Sequence, residues 1–166
     1  MGPLIRALAY STLFIGLVLV FLPAQVLEWS GITPPPDRGL AQIAGMIVGV
    51  LGAALAVWCI LTFSLVGRGT PAPFDPPRRL VAAGPYRRVR NPMYLGAGIA
   101  LAGAALYYES LALLGYLAGF LFVTNLFVLL YEEPTLRRMF GAEYEEYCRQ
   151  AGRWWPRVGA RSPSSG

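Results

Sequence analysis

SLALLGYLAGFLFVTNLFVLLYEEP, residues 110–134, runs for 22 uncharged residues and then stops on Glu132, Glu133 and Pro134. At about 1.5 Å per residue such a run exceeds the ~30 Å hydrocarbon core of a bilayer. A helix of that length on a soluble protein would carry a polar face, and this one carries none. Working outward, three more uncharged stretches appear: Ala7 to Leu27, Gly39 to Gly67 and Pro92 to Tyr108. The last has 17 residues and reaches only ~26 Å, enough for a short or re-entrant span. The chain therefore reads as all-α, a polytopic integral membrane helical bundle with about four transmembrane helices. Spans are expected at about 7–27, 40–66, 92–108 and 110–131, with a C-terminal amphipathic cytoplasmic helix in a cap over 134–157.

Composition agrees: 55% of residues are hydrophobic and 14% charged, with a positive mean hydropathy. The 14 basic residues are all arginine, and only Arg38 falls between the first two spans. The others flank the N-terminus, the central loop and the C-terminal segment, so the positive-inside rule puts both termini in the cytoplasm. The net charge of +5 thus reports topology and contact with anionic membrane lipids, and it excludes a nucleic-acid partner. Cys59 belongs to the second span and Cys148 to the cap, so no disulfide between them is expected, and with no histidine in the chain neither thiol has a base to activate it. The first apolar run is too long for a signal-peptide core and reads as a retained anchor. One domain is expected over 1–158, followed by a disordered tail at 159–166.

Small residues repeat every four positions at Gly45, Gly49 and Ala53, and again at Gly96, Ala100 and Ala104, a spacing that lets membrane helices approach closely. Glu109 and its neighbours leave room only for a tight hairpin between the third and fourth spans. That hairpin returns the chain to the cytoplasmic face, so Pro92 and Glu132 should be neighbours in space.

Charge beside lipid is costly, which makes this meeting point the candidate site. Asn91-Pro92 has the form of a helix start, asparagine capping and proline in the first turn. The positive end of that helix, with Arg87, Arg88 and Arg90 beside it, suits a carboxylate or phosphate. Opposite it stand Glu132 and Glu133, where Pro134 should break or kink the fourth span. Asn125, the deepest polar residue of that span, lies two turns before Glu132 on one face. After Pro134, Leu136, Met139, Phe140, Tyr144, Tyr147 and Cys148 recur at helical spacing, with Gly141 dividing the segment into two helices. Trp154 and Trp155 beside Arg153 suit interface depth.

Gly84-Pro85-Tyr86, the run from Arg90 to Gly96, Glu132-Glu133, the run from Phe140 to Tyr147 and Arg153-Trp154-Trp155-Pro156 form five ordered blocks. Together they resemble the isoprenylcysteine carboxyl methyltransferase family and its phospholipid-methyltransferase relatives over residues 78–157. The resemblance implies a membrane-embedded enzyme using S-adenosyl-L-methionine, its pocket open to the cytosol, with a lateral route for a lipophilic or small-molecule methyl acceptor. It implies cofactor contacts at Tyr86, Arg90, Asn91, Pro92, Tyr94, Glu132, Glu133, Tyr144 and Tyr147, a catalytic set of Arg90, Glu132 and Arg153, and no metal. The arginine-rich helix end suits the methionine carboxylate, the glutamates suit ribose hydroxyls or the amino group, and Tyr94 suits adenine or the sulfonium. Asn91 stands where the family's motif usually has histidine, and an amide is no base near neutral pH. A carboxylate or thiolate is already a nucleophile and needs none, so a carboxylate or thiol acceptor is favoured over a phospholipid amine. The alternative is a non-catalytic scaffold or accessory protein, which would tolerate substitution at Arg90 and Glu132.

Overall fold

The computed structural model describes residues 13, 15–67 and 79–157; the expected tail at 159–166 lies outside them, as does the start of the first expected span. A π-helical segment, Ile15–Phe21, leads into α1 (Leu22–Trp29). Then come α2 (Leu40–Gly67), a 3-10 turn (Gly84–Arg87), α3 (Pro92–Tyr107), α4 (Leu111–Phe127), a second π segment (Val128–Glu132), α5 (Glu133–Phe140) and α6 (Ala142–Gln150). The described residues are thus all-helical, with no strand among them and one isolated parallel bridge between Val89 and Gly152.

Among the described residues two helices are long and apolar enough to cross a membrane, Leu40–Gly67 and the continuous Leu111–Phe140. Four were expected. Of the other two apolar helices, Pro92–Tyr107 is too short by this measure, its 16 residues reaching only ~24 Å, and Gly16–Trp29 covers only the described part of the first expected span. In the two long helices only 28% and 22% of the most apolar windows is buried inside the chain. Side chains such as Val50, Leu65, Phe122 and Leu130 face outward. An apolar surface of that extent belongs against lipid rather than water.

The bundle is centred on the antiparallel pair of α2 and α3, its most extensive contact. Their backbones touch: a Cβ on Gly52 would lie 2.3 Å from the Ala100 nitrogen, and one on Gly103 2.3 Å from the Gly49 nitrogen. Gly45 and Gly96 are equally closed, by Tyr107 and Ala56. The contact stripe is therefore Gly45, Gly49, Gly52 and Ala56 against Gly96, Ala100 and Gly103, while Ala53 is exposed and Ala104 only half-buried. A strict four-residue repeat drifts off a helix face that turns every 3.6 residues, and substituting one three-residue step restores it. At the far end the Gln42 amide donates to the Tyr107 carbonyl at 3.2 Å.

The expected tight hairpin joins α3 to α4. Glu109 takes a left-handed φ of 49°, and buried Ser110 caps α4 by accepting from the Leu113 N–H at 3.1 Å. Ala97, Leu101 and Phe120 pack between the two helices, and Tyr116 donates to the Val18 carbonyl at 2.8 Å, fixing the first segment alongside.

Of the break or kink expected at Pro134, the break does not occur. Glu133 keeps helical angles, φ −61° and ψ −45°, and its N–H reaches back five residues to the Val128 carbonyl. Proline lacks an N–H and its ring collides with the preceding turn of an α-helix; one widened π turn removes the conflict without ending the helix. Gly141, at φ 50°, divides α5 from α6 as expected. Tyr144, Tyr147, Cys148 and Ala151 form a buried cluster with Leu80, Leu136 and Phe140 against it. Met139, expected on this face, is instead exposed.

Candidate active site

The site forms where the start of α3, the π segment, α6 and the chain after it converge. The 3-10 turn sits on the end of α2, where Gly84 has φ 54° and its missing side chain would meet Thr62 at 3.1 Å. Tyr86 is buried with Cys59 and Val81, and its carbonyl accepts from the Tyr147 hydroxyl at 2.7 Å. Burial pushes the Tyr147 phenol above its ordinary range, which keeps that donor protonated.

Next, the chain from Arg88 to Arg90 pairs with the C-terminal segment. Arg90 N–H donates to the Gly152 carbonyl at 2.8 Å, and Gly152 N–H to the Arg88 carbonyl at 3.2 Å. A Cβ on Gly152 would lie 1.8 Å from the Trp155 carbonyl oxygen, so only glycine lets the tail fold back here. Asn91 is buried but does not cap α3 with its side chain; its amide donates to the Arg153 carbonyl at 3.2 Å. This corrects the capping expectation. The two backbone hydrogen bonds set the approach of residues 152 and 153, and the Asn91 amide is taken up in holding them.

So placed, Arg153 reaches Glu133 with both arms of its fork, Nε at 2.7 Å and Nη2 at 2.8 Å. Arg90 Nη2 meets the same carboxylate at 3.1 Å. Glu133 is only 5% exposed, and two arginines supply the counter-charge its burial requires. The carboxylate in turn raises the Arg153 guanidinium above its ordinary range. Arg90 also contacts the Cys148 sulfur through Nη1, while its Nε is buried without a hydrogen-bond partner among the described residues.

Glu132, one residue earlier, has different company. Among the described residues no arginine pairs with it, and its hydrogen bond is from the Tyr94 hydroxyl at 3.4 Å. That is longer than a full O–H···O bond, so the carboxylate retains capacity for another donor. The Tyr94 ring lies 6.5 Å from that of Trp154, whose indole N–H donates to the Asn125 side-chain oxygen at 3.0 Å. Two adjacent carboxylates thus differ: one is neutralised and locked, the other is open to hydroxyl or ammonium donors.

Arg90, Asn91, Pro92, Tyr94, Glu132, Glu133 and Arg153 all converge as the sequence expects. Tyr86, Tyr144 and Tyr147 lie in the packed layer around them, the last two with rings 6.2 Å apart. Arg87 and Arg88 are exposed. Trp155 is exposed as an interfacial residue would be, but Trp154 turns inward, and its bond to Asn125 and the close approach at Gly152 are the features sequence reasoning misses. Asn125 was flagged as the deepest polar residue of its span; what it lacked was a partner. Both cysteines are free and buried, as expected.

No curated protein and no solved structure matches this chain. A family model, phospholipid methyltransferase, matches residues 40–143, from the start of α2 into the first turn of α6. The match takes in the α2–α3 pair, the helix start at Pro92 and the two glutamates, and it spans well over half of the chain. By this match the chain belongs to the phospholipid methyltransferase family.

Proposed function

We propose that this protein is a multi-pass membrane methyltransferase that uses S-adenosyl-L-methionine and delivers the methyl group to a lipophilic or small acceptor at the cytoplasmic edge of the bilayer. The observation that carries the reading is the unlike pairing of Glu132 and Glu133 beside the N-terminus of α3. A scaffold needs neither a doubly paired buried carboxylate nor an unpaired one next to it.

The residues present fit the cofactor. S-adenosyl-L-methionine supplies a methyl group activated on a sulfonium sulfur. The unpartnered Arg90 Nε and the free first-turn N–H groups of α3 are donors suited to a carboxylate. Glu132 is the acceptor for ribose hydroxyls or an ammonium, and the Tyr94 face suits adenine or a cation. Glu133 and Arg153 hold the tail in place, and the buried tyrosines Tyr86, Tyr144 and Tyr147 back the pocket. Catalysis is then mainly positioning in a water-poor site.

The acceptor follows from proton bookkeeping. Asn91 is not a base, and Glu133 is consumed by arginines. A carboxylate or thiolate acceptor arrives ready to attack, and this remains our preferred class. A phospholipid amine, to which the family's description points, would have to give its proton to Glu132. Four spans in one domain over 1–158, with both termini cytoplasmic, remain our topology: the short α3 completes its crossing by local thinning of the bilayer. Incubation of the purified protein with methyl-labelled cofactor and, in parallel, isoprenylated cysteine acids, small thiols and aminophospholipids tests the assignment. Label is expected in the acid or thiol products. Label confined to the aminophospholipid would overturn the preferred class, and label in none would favour the scaffold.

A further inference from the structure

We propose that Asn125 and Trp154 are positioning residues: their hydrogen bond holds the Trp154 ring against Tyr94 and so sets where the Tyr94 hydroxyl meets Glu132. The inference rests on the methyltransferase reading above, and concerns two residues that reading does not use.

Asn125 stands within α4, seven residues before Glu132. An amide at that depth is costly unless it is satisfied, and its oxygen accepts from the Trp154 indole at 3.0 Å. Trp154 comes from the opposite end of the sequence order, in the segment after α6. Its position is imposed three times over, by the Gly152 pairing, by the Asn91 amide on the Arg153 carbonyl and by the Arg153 fork on Glu133. The tail is therefore already docked when the indole meets Asn125. What the indole bond adds is orientation of the ring, which then lies tilted 59° to Tyr94 at 6.5 Å, within the range of favourable aromatic pairs.

Among the described residues the hydrogen bond of the Tyr94 hydroxyl is to Glu132, and it is long at 3.4 Å. A long bond is sensitive to small rotations of the ring that carries it. Asn125, Trp154, Tyr94 and Glu132 thus form one relay, running from mid-helix in the bilayer to the open carboxylate. The relay ends on the group proposed to hold the cofactor, so a change at Asn125 should reach cofactor binding without touching the cofactor.

The test is titration of the detergent-purified full chain with S-adenosylhomocysteine, for wild type, Trp154→Phe, Asn125→Leu and the double variant. Trp154→Phe keeps a ring beside Tyr94 and removes only the indole donor; Asn125→Leu removes the acceptor at similar volume. Each single change is expected to weaken binding by about five-fold, the worth of one ordinary hydrogen bond, with the number of sites per protein unchanged. The double variant is expected to be no weaker than either single, because both remove the same bond. A purely structural role would lower the number of competent sites at unchanged affinity, and that result overturns the proposal. Multiplying effects in the double variant, or affinities within two-fold of wild type, overturn it as well. If one single variant does not fold, the other tests the same bond from its other side. A folded wild type that binds nothing removes the parent reading and this proposal together, whereas wild-type binding with indifferent variants removes this proposal alone.

Discussion

Adjacent residues Glu132 and Glu133 separate what holds the site together from what the site does. Glu133 is buried under two guanidinium groups, and replacing it with glutamine leaves Arg90, 9% exposed, without its counter-charge. Glu133→Gln is expected to cost about 3–5 kcal/mol of stability, read as a lowered midpoint of thermal unfolding in detergent. Glu132→Gln keeps an oxygen that can accept from Tyr94, removes only a charge that no arginine pairs among the described residues, and should cost less than about 1 kcal/mol. If the two variants melted alike, the division of labour between the carboxylates would be wrong. The residues of this site were legible from types and order: arginines at one helix start and glutamates at the end of another, returned to each other by a hairpin. Their pairing was not legible, because which of two neighbouring carboxylates meets an arginine depends on a few tens of degrees of helix rotation. The role of Asn91 escaped for a related reason. Its carbonyl-bearing amide suits a cap, and only the tail, folded back at Gly152, offers the better partner.

At the scale of elements, glycines divide into those that are filled by a neighbouring backbone and those that are not. Gly52→Ala places a Cβ 2.3 Å from the Ala100 nitrogen, and neither backbone can yield without parting α2 from α3. A loss of about 1–3 kcal/mol is expected, by the same melting measurement. Gly115 and Gly119 meet nothing within 4 Å, and alanine there should be neutral or stabilise by up to about 1 kcal/mol. The existence of this helix contact was readable from the four-residue spacing, but its register was not, since the stripe takes a three-residue step to stay on the face. Pro134 is the second case. Its expected effect on the chain is a break or kink, and it takes the form of a π turn over Val128–Glu132 within an unbroken helix. Pro134→Ala allows that turn to revert to α-helix, carrying Glu132 and the residues after it up to about 100° around the axis relative to α4. Helix content by circular dichroism should not fall, while binding of S-adenosylhomocysteine should drop about ten-fold or more, equivalent to some 1.4 kcal/mol. Unchanged binding would show that the π turn has no part in presenting Glu132.

For the whole molecule, length and hydropathy made the all-helical membrane class legible, while the number of crossings is where the expectation and the fold part. Among the described residues only Leu40–Gly67 and Leu111–Phe140 are long enough alone, and the 16-residue α3 is held by α2 through backbone contact rather than by its own length. A single-sequence hydropathy reading treats each segment as if it met lipid independently and cannot see such a partner. With four crossings, compartment-sensitive reporters fused at either terminus should both report the cytoplasm; opposite sides would require an odd number. The central claim is that the convergence of Arg90, Tyr94 and Glu132 is a cofactor pocket, and equilibrium binding of S-adenosylhomocysteine to the purified protein tests it without knowledge of the acceptor. Saturable binding at one site per chain, weakened about ten-fold or more in a Glu132→Gln variant that melts like wild type, is the predicted result. A well-folded wild type that binds no S-adenosylhomocysteine, or a Glu132→Gln variant that binds it equally well, would contradict the claim.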